Sequence, residues 1–553
     1  MTATFQPDRM PGYVLPKYEY RRPPELGGSD SPLYPVIVVG AGLAGLTSAL
    51  ELGSRGVRTV LLDDDDTVGA QGLSSRGICH AKRSLEIFDR FGVAERIRAK
   101  GVTWNEGDVF VCDEHIFRFN LQPEQDQKFP AFVNLQQFYV EQYLVEALQR
   151  MESVSLRWKN RVAGAKPQAD HVALTVETPD GRYSLRAQYV VAADGAHSVL
   201  REQIGAKDAE SSLFDNHWCI ADVKMPGTPG AVRKAFLDAP QNDGGAIWYH
   251  QMADGIWRTD WLISHYDDPD AEAKPERAKE RLKKLLGPDA PFELVWVGPW
   301  RFRRRVLERM THGRVFFMGD ASAQHSPFGA RGGNRAVQDA NNLAWKLALV
   351  VQGRADERLL DSYEGERIPV ARRLLETTDR AFRIVVSDSW IAGLLRTKVL
   401  ARIAAFAMRR ERVQRFAFRA VSQIGIHYRE SSLSESGPAL PEHAPRAGDR
   451  FPWLHLKLQA GGPVEDLFQK FDDLHFHLLV AGQPVPQLAI PESLLQVHAI
   501  PSDAANDAEL ARARIAQTSY YLVRPDGYIA LAGTNLEPGA VERYLSTRLA
   551  LGG

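Results

Sequence analysis

Cysteine is scarce in this chain. Three occur among 553 residues, Cys79, Cys112 and Cys219, too far apart to form a CxxC pair or a metal-ligand cluster. That excludes a disulfide framework and a thiolate metal centre, and no metal is expected. It suits a reducing compartment, so the cytoplasm is the expected location. Long apolar runs are missing too. No stretch reaches the roughly 18 uninterrupted apolar residues that mark a membrane-spanning helix, so no membrane partner is expected. Neither sign of charge dominates: 68 Lys and Arg against 69 Asp and Glu leave a formal net charge of -1. Nothing in that balance calls for nucleic acid or an anionic membrane. Arg21 and Arg22 have no apolar run behind them, so the N-terminus does not read as a signal peptide.

What is present is ordinary for a globular protein, 44% hydrophobic and 25% charged residues, in a chain long enough for two or three domains. Residues 1–34 read as an extended arm, either disordered or laid along the body. Residues 35–105 alternate strand, small-residue helix and strand, a βαβ opening. Residues 155–310 are rich in short β-like runs, among them Val172–Val176 and Tyr189–Ala192. The run Ala246–Ser264 breaks at the turn Ala253-Asp254-Gly255. Residues 335–435 show helical spacing with few breakers. Ser, Gly and Pro collect in Ser431–Asp449, which reads as a linker. A compact unit follows, with strands expected at His475–Val480, Gln496–Ile500, Tyr520–Arg524 and Tyr528–Leu531, and a last helix over Pro538–Leu549.

Three motifs carry chemistry. The segment Val36–Val39 followed by Gly40, Gly42 and Gly45 is a buried strand running through GxGxxG into a helix. Gly40 permits the tight turn, Gly42 lets a pyrophosphate approach the backbone, and Gly45 allows close helix–strand packing. The helix N-terminus then offers free N–H groups and partial positive charge to phosphates. The second strand, Thr59–Leu62, ends in Asp63, a carboxylate placed to accept hydrogen bonds from an adenosine ribose. A lone GxGxxG is a weak signal, but strand, glycines, helix and acid in register point to a dinucleotide. The second motif is the strand Tyr189–Ala192 leading to Asp194-Gly195 and onward to Ser198 and Arg201. The third is the strand Arg314–Met318 ending in Gly319-Asp320. A simple NAD dehydrogenase needs neither, whereas a carboxylate at a strand end suits ribityl hydroxyls, which points to FAD. The loop Ser326–Asn334 then enters a helix whose N–H groups suit the pyrimidine edge of a flavin ring.

These motifs resemble the group A flavoprotein aromatic hydroxylases, the fold family of 4-hydroxybenzoate hydroxylase, and more nearly its 3-(3-hydroxyphenyl)propionate and phenol hydroxylases. The resemblance covers about residues 35–385. It implies an α/β fold: a Rossmann-type FAD-binding domain with an inserted β-sheet substrate domain, plus a C-terminal thioredoxin-like α/β domain. The FAD-binding parts are about 35–105, 130–205 and 300–385. The β-rich substrate part is about 206–299, the helical part 386–435, the linker 436–449, and the thioredoxin-like domain 450–553. Carried over by position, Gly40, Gly42, Gly45 and Asp63 bind the ADP half. Arg76 contacts the cofactor, and Gln137 reaches the ribityl–phosphate region, with Gln136 as the alternative. Asp194 and Gly195 form the motif tied to FAD and NAD(P)H. Asp320 binds ribityl hydroxyls, Pro327 turns its carbonyl to the substrate hydroxyl, and Gly332, Gly333 and Asn334 lie around the flavin ring. Two departures bear on the substrate pocket: Ala323 stands where many relatives have His, and Ala336 where they often have Gly.

The implied reaction hydroxylates a small phenolic substrate, using NADH or NADPH and O2 through a flavin C4a-hydroperoxide, in aromatic degradation by a homodimer. A base near the phenol would help. His325 is either that base or a packed histidine. Arg331 either attracts a carboxylated substrate or nicotinamide phosphates, or is a solvated loop residue. Trp248, Tyr249, Trp257 and Trp261 either wall a ring pocket or fill a sheet core. The basic runs Arg301–Arg305 and Arg409–Arg412 read as solvated or ion-paired faces. The C-terminal unit lacks cysteine, so dithiol chemistry is excluded and packing or dimerisation is its role. Competing readings are an epoxidase or reductase on the same fold, or a non-catalytic flavin-binding regulator. Halogenase (WxWxIP) and disulfide-reductase (CxxxxC) signatures are absent.

Overall fold

The computed structural model describes residues 13–28, 31–69, 77–121, 127–225, 233–264, 267–325, 329–386 and 401–549. Its first sheet is built on Leu33–Val39, whose last five residues are apolar and, with Val36–Val39, buried on both faces, as a central parallel strand requires. Gly181–Ala192 pairs parallel with one side of this strand and Thr59–Leu62 with the other. Val315–Phe317 joins beyond Gly181–Ala192, and Val154–Arg157 beyond Thr59–Leu62, both parallel. Two more strands, Arg161–Pro167 and Val172–Thr178, extend the long strand Gly181–Ala192 as an antiparallel meander. Helix Leu43–Ser54, almost wholly buried, packs against the helix Gly332–Val351, and the core lies between these helices and the sheet.

The second sheet has eight strands, dominated by Asp208–Lys224 and Glu293–Leu307, which pair antiparallel over most of their length. Ile256–Ile263, Ile247–Gln251 and Arg233–Leu237 follow in order across it. Its far edge is made by Glu106–Val111 and Glu114–Asn120, residues that fell between the parts expected from the sequence. Alternation divides this sheet cleanly. Tyr249, Trp257 and Trp261 share a core with Ala278 and Leu282 of the covering helix Pro275–Leu286, on the outer face. Trp218, Trp248, His250, Arg258 and Asp260 point the other way. Trp296, in register with Asp222 on that inner face, packs onto the core of the first sheet, so the inner face is turned to the dinucleotide-binding body.

The N-terminal arm lies along the body where it is described. Tyr18 stacks on Trp158 at 4.6 Å, and Glu25 pairs with Arg157 in a buried site. The C-terminal unit has a five-stranded sheet in the order Glu435–Ser436, Ile529–Gly533, Ser519–Val523, Phe476–Ala481, Leu495–Ile500. Phe476–Ala481 and Leu495–Ile500 are parallel, and Ser519–Val523 is antiparallel to its two neighbours. Pro484, Pro486 and Pro491 occupy the first crossover, which contains no helix. The stretch 436–449 is not a free linker. Leu440, Ala444 and Ala447 are buried in this unit's core, because a proline-rich segment with apolar residues still gains by covering a sheet. Among the described residues, no helix is long and apolar enough to cross a membrane.

Candidate functional site

The strand order places Asp320, Asp194, Gly40 and Asp63 at the carboxyl ends of four successive parallel strands, along one edge of the first sheet. Open α/β sheets bind ligands at this edge. Gly40 has φ +100°, and a Cβ there would lie 2.4 Å from the Ala193 carbonyl oxygen and 3.0 Å from the Asp194 Cα. The first and second motifs therefore touch. A Cβ on Gly45 would fall 1.7 Å from the Gly40 carbonyl oxygen, so the helix could not sit this close to the strand. At Gly42 a Cβ would meet nothing within 4 Å, which leaves room over the helix N-terminus. The two outer glycines close the turn; the middle one keeps it open.

Asp63 accepts hydrogen bonds from the backbone N–H groups of Ala41 and Asp65, which hold it beside the glycine loop. Burial, reinforced by the neighbouring Asp64, pushes its carboxyl up to about 7. Asp194 accepts from Leu200 N–H at 3.0 Å, and its other carboxylate oxygen is buried with no hydrogen-bond partner. A buried orphan acceptor is costly unless a ligand donor meets it. Gly319, at φ +57°, is wedged between helices: a Cβ would lie 3.3 Å from the Cβ atoms of both Ala44 and Ala336. Asp320 follows it, exposed at the strand end. These are the features that a long, hydroxyl- and phosphate-bearing dinucleotide needs, and FAD fits them.

Gln137 opens a helix, accepts from Gly77 N–H at 3.0 Å and donates to Glu141, on the side where the chain enters 70–76. Gln136 points the other way: it is fully buried, and its Oε1 has no partner. Arg76 and Pro327 lie outside the described residues. Gly332 and Gly333 form the first turn of the helix Gly332–Val351, and a Cβ on Gly333 would meet Leu43 at 3.0 Å, so this helix and the dinucleotide helix meet at their N-termini. Asn334 uses both ends of its amide: Oδ1 accepts from Ala81 N–H and Ser84 Oγ, and Nδ2 donates to the Cys79 and Ala330 carbonyls. Its side chain therefore holds the loop in place and has no capacity left for a ligand.

His325 lies against the same turn, 3.7 Å from where a Gly332 Cβ would be. Arg331 is partly buried, its Nε has no hydrogen-bond partner, and none of the ion pairs among the described residues involves it. Burial draws its guanidinium below the usual range. Of the four aromatic residues singled out in the sequence, only Trp248 is on the inner face, stacked on Trp218 at 4.3 Å. Beside it stand groups that motif reading missed. Asp222 and Arg258 form a buried bidentate pair at 2.8 and 2.9 Å, with Tyr13 of the arm donating to Asp222. His250 Nε2 is 3.6 Å from Asp260, and its Nδ1 is buried without a partner. Burial holds His250 neutral and pushes the Asp260 carboxyl up to about 7. Strand alternation was the available signal for these residues, but it does not say which face meets the cofactor.

The family model described as "FAD binding domain" matches residues 33–378. A 6-methylpretetramide 4-monooxygenase of Streptomyces rimosus is 31% identical, over 74% of this chain and 72% of its own length. A flavin-dependent monooxygenase of Mycobacteroides abscessus is 28% identical, over 90% of this chain and 96% of its own. A 3-(3-hydroxy-phenyl)propionate/3-hydroxycinnamic acid hydroxylase of Mycolicibacterium smegmatis is 27% identical, over 73% and 70%. Among solved structures, the flavin-dependent monooxygenase PieE in complex with FAD and substrate superposes with a TM-score of 0.77 at 21% identity, over 95% of this chain and 100% of that one. The p-nitrophenol 4-monooxygenase of Pseudomonas putida does so with a TM-score of 0.64 at 27% identity, over 71% and 99%. The strand-end cleft, the domain match and these relatives agree, and the chain belongs to the FAD-binding family of the flavoprotein aromatic hydroxylases.

Proposed function

We propose that this protein is a monooxygenase that hydroxylates a small phenolic substrate with NADH or NADPH and O2. What carries the reading is the convergence of Gly40, Asp194 and Asp320 on one sheet edge, facing the polar inner side of the second sheet. When bound, FAD supplies the redox chemistry, taking electrons from the nicotinamide and activating O2 for oxygen transfer to an electron-rich ring. The chain supplies position and charge. Asp63 would accept from the adenosine ribose, the helix N-terminus beyond Gly42 would hold the pyrophosphate, Asp194 and Asp320 would take the ribityl end, and Gln137 would contact the cofactor, a role that the resemblance also gives to Arg76. The N–H groups of Gly332 and Gly333 face the pyrimidine edge, where reduced flavin carries negative charge.

The substrate ring rests on Trp248, itself stacked on the buried Trp218, and the resemblance assigns Pro327 to its hydroxyl. His250, neutral and with its Nδ1 unpartnered among the described residues, is placed to accept a hydrogen bond from the phenolic hydroxyl with Asp260 behind it; His325 is the candidate base on the cofactor side. Arg331, a partly buried cation without a counter-charge among the described residues, favours a carboxylated phenol. One of the relatives is named for such substrates. We also read the C-terminal unit as thioredoxin-like, on its mixed sheet with a single antiparallel core strand, and the protein as a homodimer, which light scattering tests.

The test is to purify the full chain, record its flavin spectrum, and measure nicotinamide oxidation and product with phenols that do or do not carry a carboxylate. Product is expected in step with nicotinamide consumed. Arg331→Met should raise KM for the carboxylated phenols about 10- to 100-fold, the loss of a charge-assisted contact, and leave uncharged phenols nearly unchanged. A colourless protein that FAD cannot reconstitute, or oxidation without product for every phenol, overturns the reading.

A further inference from the structure

The C-terminal unit supplies none of the residues assigned to the cofactor, yet its turn Arg524–Gly527 is driven into the flavin body. Arg524 is buried and makes a bidentate pair with Glu366 at 2.6 and 3.1 Å, and a second pair with Asp526. Glu366 also takes Lys346 at 2.8 Å and Asn342 at 2.6 Å, both on the helix that begins at Gly332. Trp345 of that helix donates to Asp526 at 3.2 Å. The side chains of Arg524, Glu366, Lys346 and Asp526 are wholly shielded from water.

The next residue along, Arg367, continues toward the cofactor loop. Its Nε donates to Asp339 at 2.7 Å, and its Nη1 donates to the Tyr428 hydroxyl at 2.7 Å. Tyr428, ahead of the C-terminal unit in the chain, packs against it, its ring 4.3 Å from that of Tyr528 and 5.5 Å from the Arg524 guanidinium. At the other end, Asp339 accepts the Gly319 N–H at 3.1 Å and pairs with Arg335 at 2.7 Å. Arg335 in turn donates to the carbonyls of Gly319 and Ala323. An unbroken set of buried contacts thus runs from the C-terminal turn to the backbone of the Gly319-Asp320 loop.

We propose that the C-terminal unit is a positioning element for FAD, acting through Tyr428, Arg367 and Asp339 on the loop that carries Asp320. This rests on the reading that the loop binds the cofactor. Buried ion pairs contribute little net stability, because desolvation offsets their attraction, but they fix geometry. The Gly319 backbone is held directly by Asp339 and Arg335, and it lies so close to Ala44 and Ala336 that a Cβ there would press on both, so a shift of Asp339 is passed to the loop backbone.

The experiment uses full-length holoenzyme. Tyr428→Phe deletes one hydrogen bond to Arg367 and keeps the ring. Asp339→Asn weakens the hold on Gly319 directly. Lys128→Gln is the control: it cuts the pair with Asp466 across the same interface, and the pair with Asp89 within the body, but touches none of these residues. FAD dissociation constants, the flavin midpoint potential and the visible circular dichroism of bound flavin are read for each, with the Tyr428→Phe/Asp339→Asn double variant. Tyr428→Phe should weaken FAD binding about 3- to 10-fold, the worth of one buried hydrogen bond, and alter the dichroism. Lys128→Gln should do neither, and the double variant should lose less than the product of the singles. Equal effects of Tyr428→Phe and Lys128→Gln, or independent effects in the double variant, overturn the proposal. If Asp320→Ala leaves FAD binding untouched, the assignment of the loop itself has failed, a different result.

Discussion

At the scale of single residues, the site is governed by where a side chain or its absence is obligatory. Gly40 and Gly45 have no alternative, since backbone oxygen occupies the space a Cβ would need. Such positions are legible in the sequence because the constraint is local: strand, turn and helix lie within a dozen residues. Asp63 is legible for the same reason, but its ionisation is not, because that depends on burial and on Asp64. Its carboxyl titrates near 7 in the folded apoprotein and near 4 when unfolded. The folded state therefore holds the extra proton between those values, and stability falls as pH rises through that window. Asp63→Asn removes the charge that is costly above pH 7. The apo variant should melt higher than wild type at pH 8 and nearly alike at pH 4, by calorimetry. Its FAD affinity should drop about 10-fold or more, since Asn offers the ribose one neutral acceptor instead of a carboxylate. A variant that melts like wild type at pH 8 would show that Asp63 carries no buried charge.

At the scale of elements, the second sheet shows what alternation reveals and what it hides. The strands around Ala253–Gly255 read clearly, and Ile247–Gln251 and Ile256–Ile263 lie within the expected run. Alternation separates Trp248 from Tyr249, but only packing shows that the helix Pro275–Leu286 covers one face and the flavin body the other. What Asn334, Arg335 and Asp339 contact was hidden for a related reason: partners such as Cys79, Ala81 and Arg367 are distant in sequence, and no periodicity marks a contact between chain segments. The two faces predict two kinds of variant. Trp261→Ala opens a cavity in the outer core and should cost about 3–5 kcal/mol, seen in denaturant unfolding. Trp248→Ala loses a partly exposed stacking partner, should cost no more than about 1.5 kcal/mol of stability, and should instead raise KM for the phenol. If both variants lose stability alike and substrate kinetics stay the same, the inner face is not the substrate wall.

At the scale of the whole molecule, the flavin body and the C-terminal unit place their buried titratable groups differently. Burial raises three carboxyls in the body, Asp63, Glu141 and Asp260, each to about 7. On these three groups the folded body takes up protons relative to the unfolded chain between about pH 4 and 7, and they make it more stable as pH falls across that window. His80, His250 and His427 oppose them there, all lowered by burial, His80 to about 4. The C-terminal unit has the reverse balance. His498 is lowered to about 4, chiefly by burial and then by His477, whose Nδ1 is 3.1 Å from its Nε2, with Lys470 adding to the repulsion. Asp472, beside His475 and His477, partly offsets this, and the hydrogen bonds from those two rings keep its own carboxyl ionised well below the usual range. A histidine held neutral in the fold and charged when unfolded lends stability above about 6.5 that is lost as pH falls toward 4. Glu366 at the interface does not titrate here, since Arg524 and Lys346 hold it ionised far below this range. Acidification from pH 7 to 5 should therefore loosen the C-terminal unit while the flavin body holds. Hydrogen–deuterium exchange of the apoprotein, corrected for the intrinsic pH dependence of exchange, should show Phe476–Ala481 and Leu495–Ile500 losing protection about 10-fold or more, the scale of a shift of one to two pK units. Leu33–Val39 and Thr59–Leu62 should keep or gain theirs. His498→Gln should abolish most of the acid sensitivity of the C-terminal strands, and a uniform loss across both units would show that the two regions open as one.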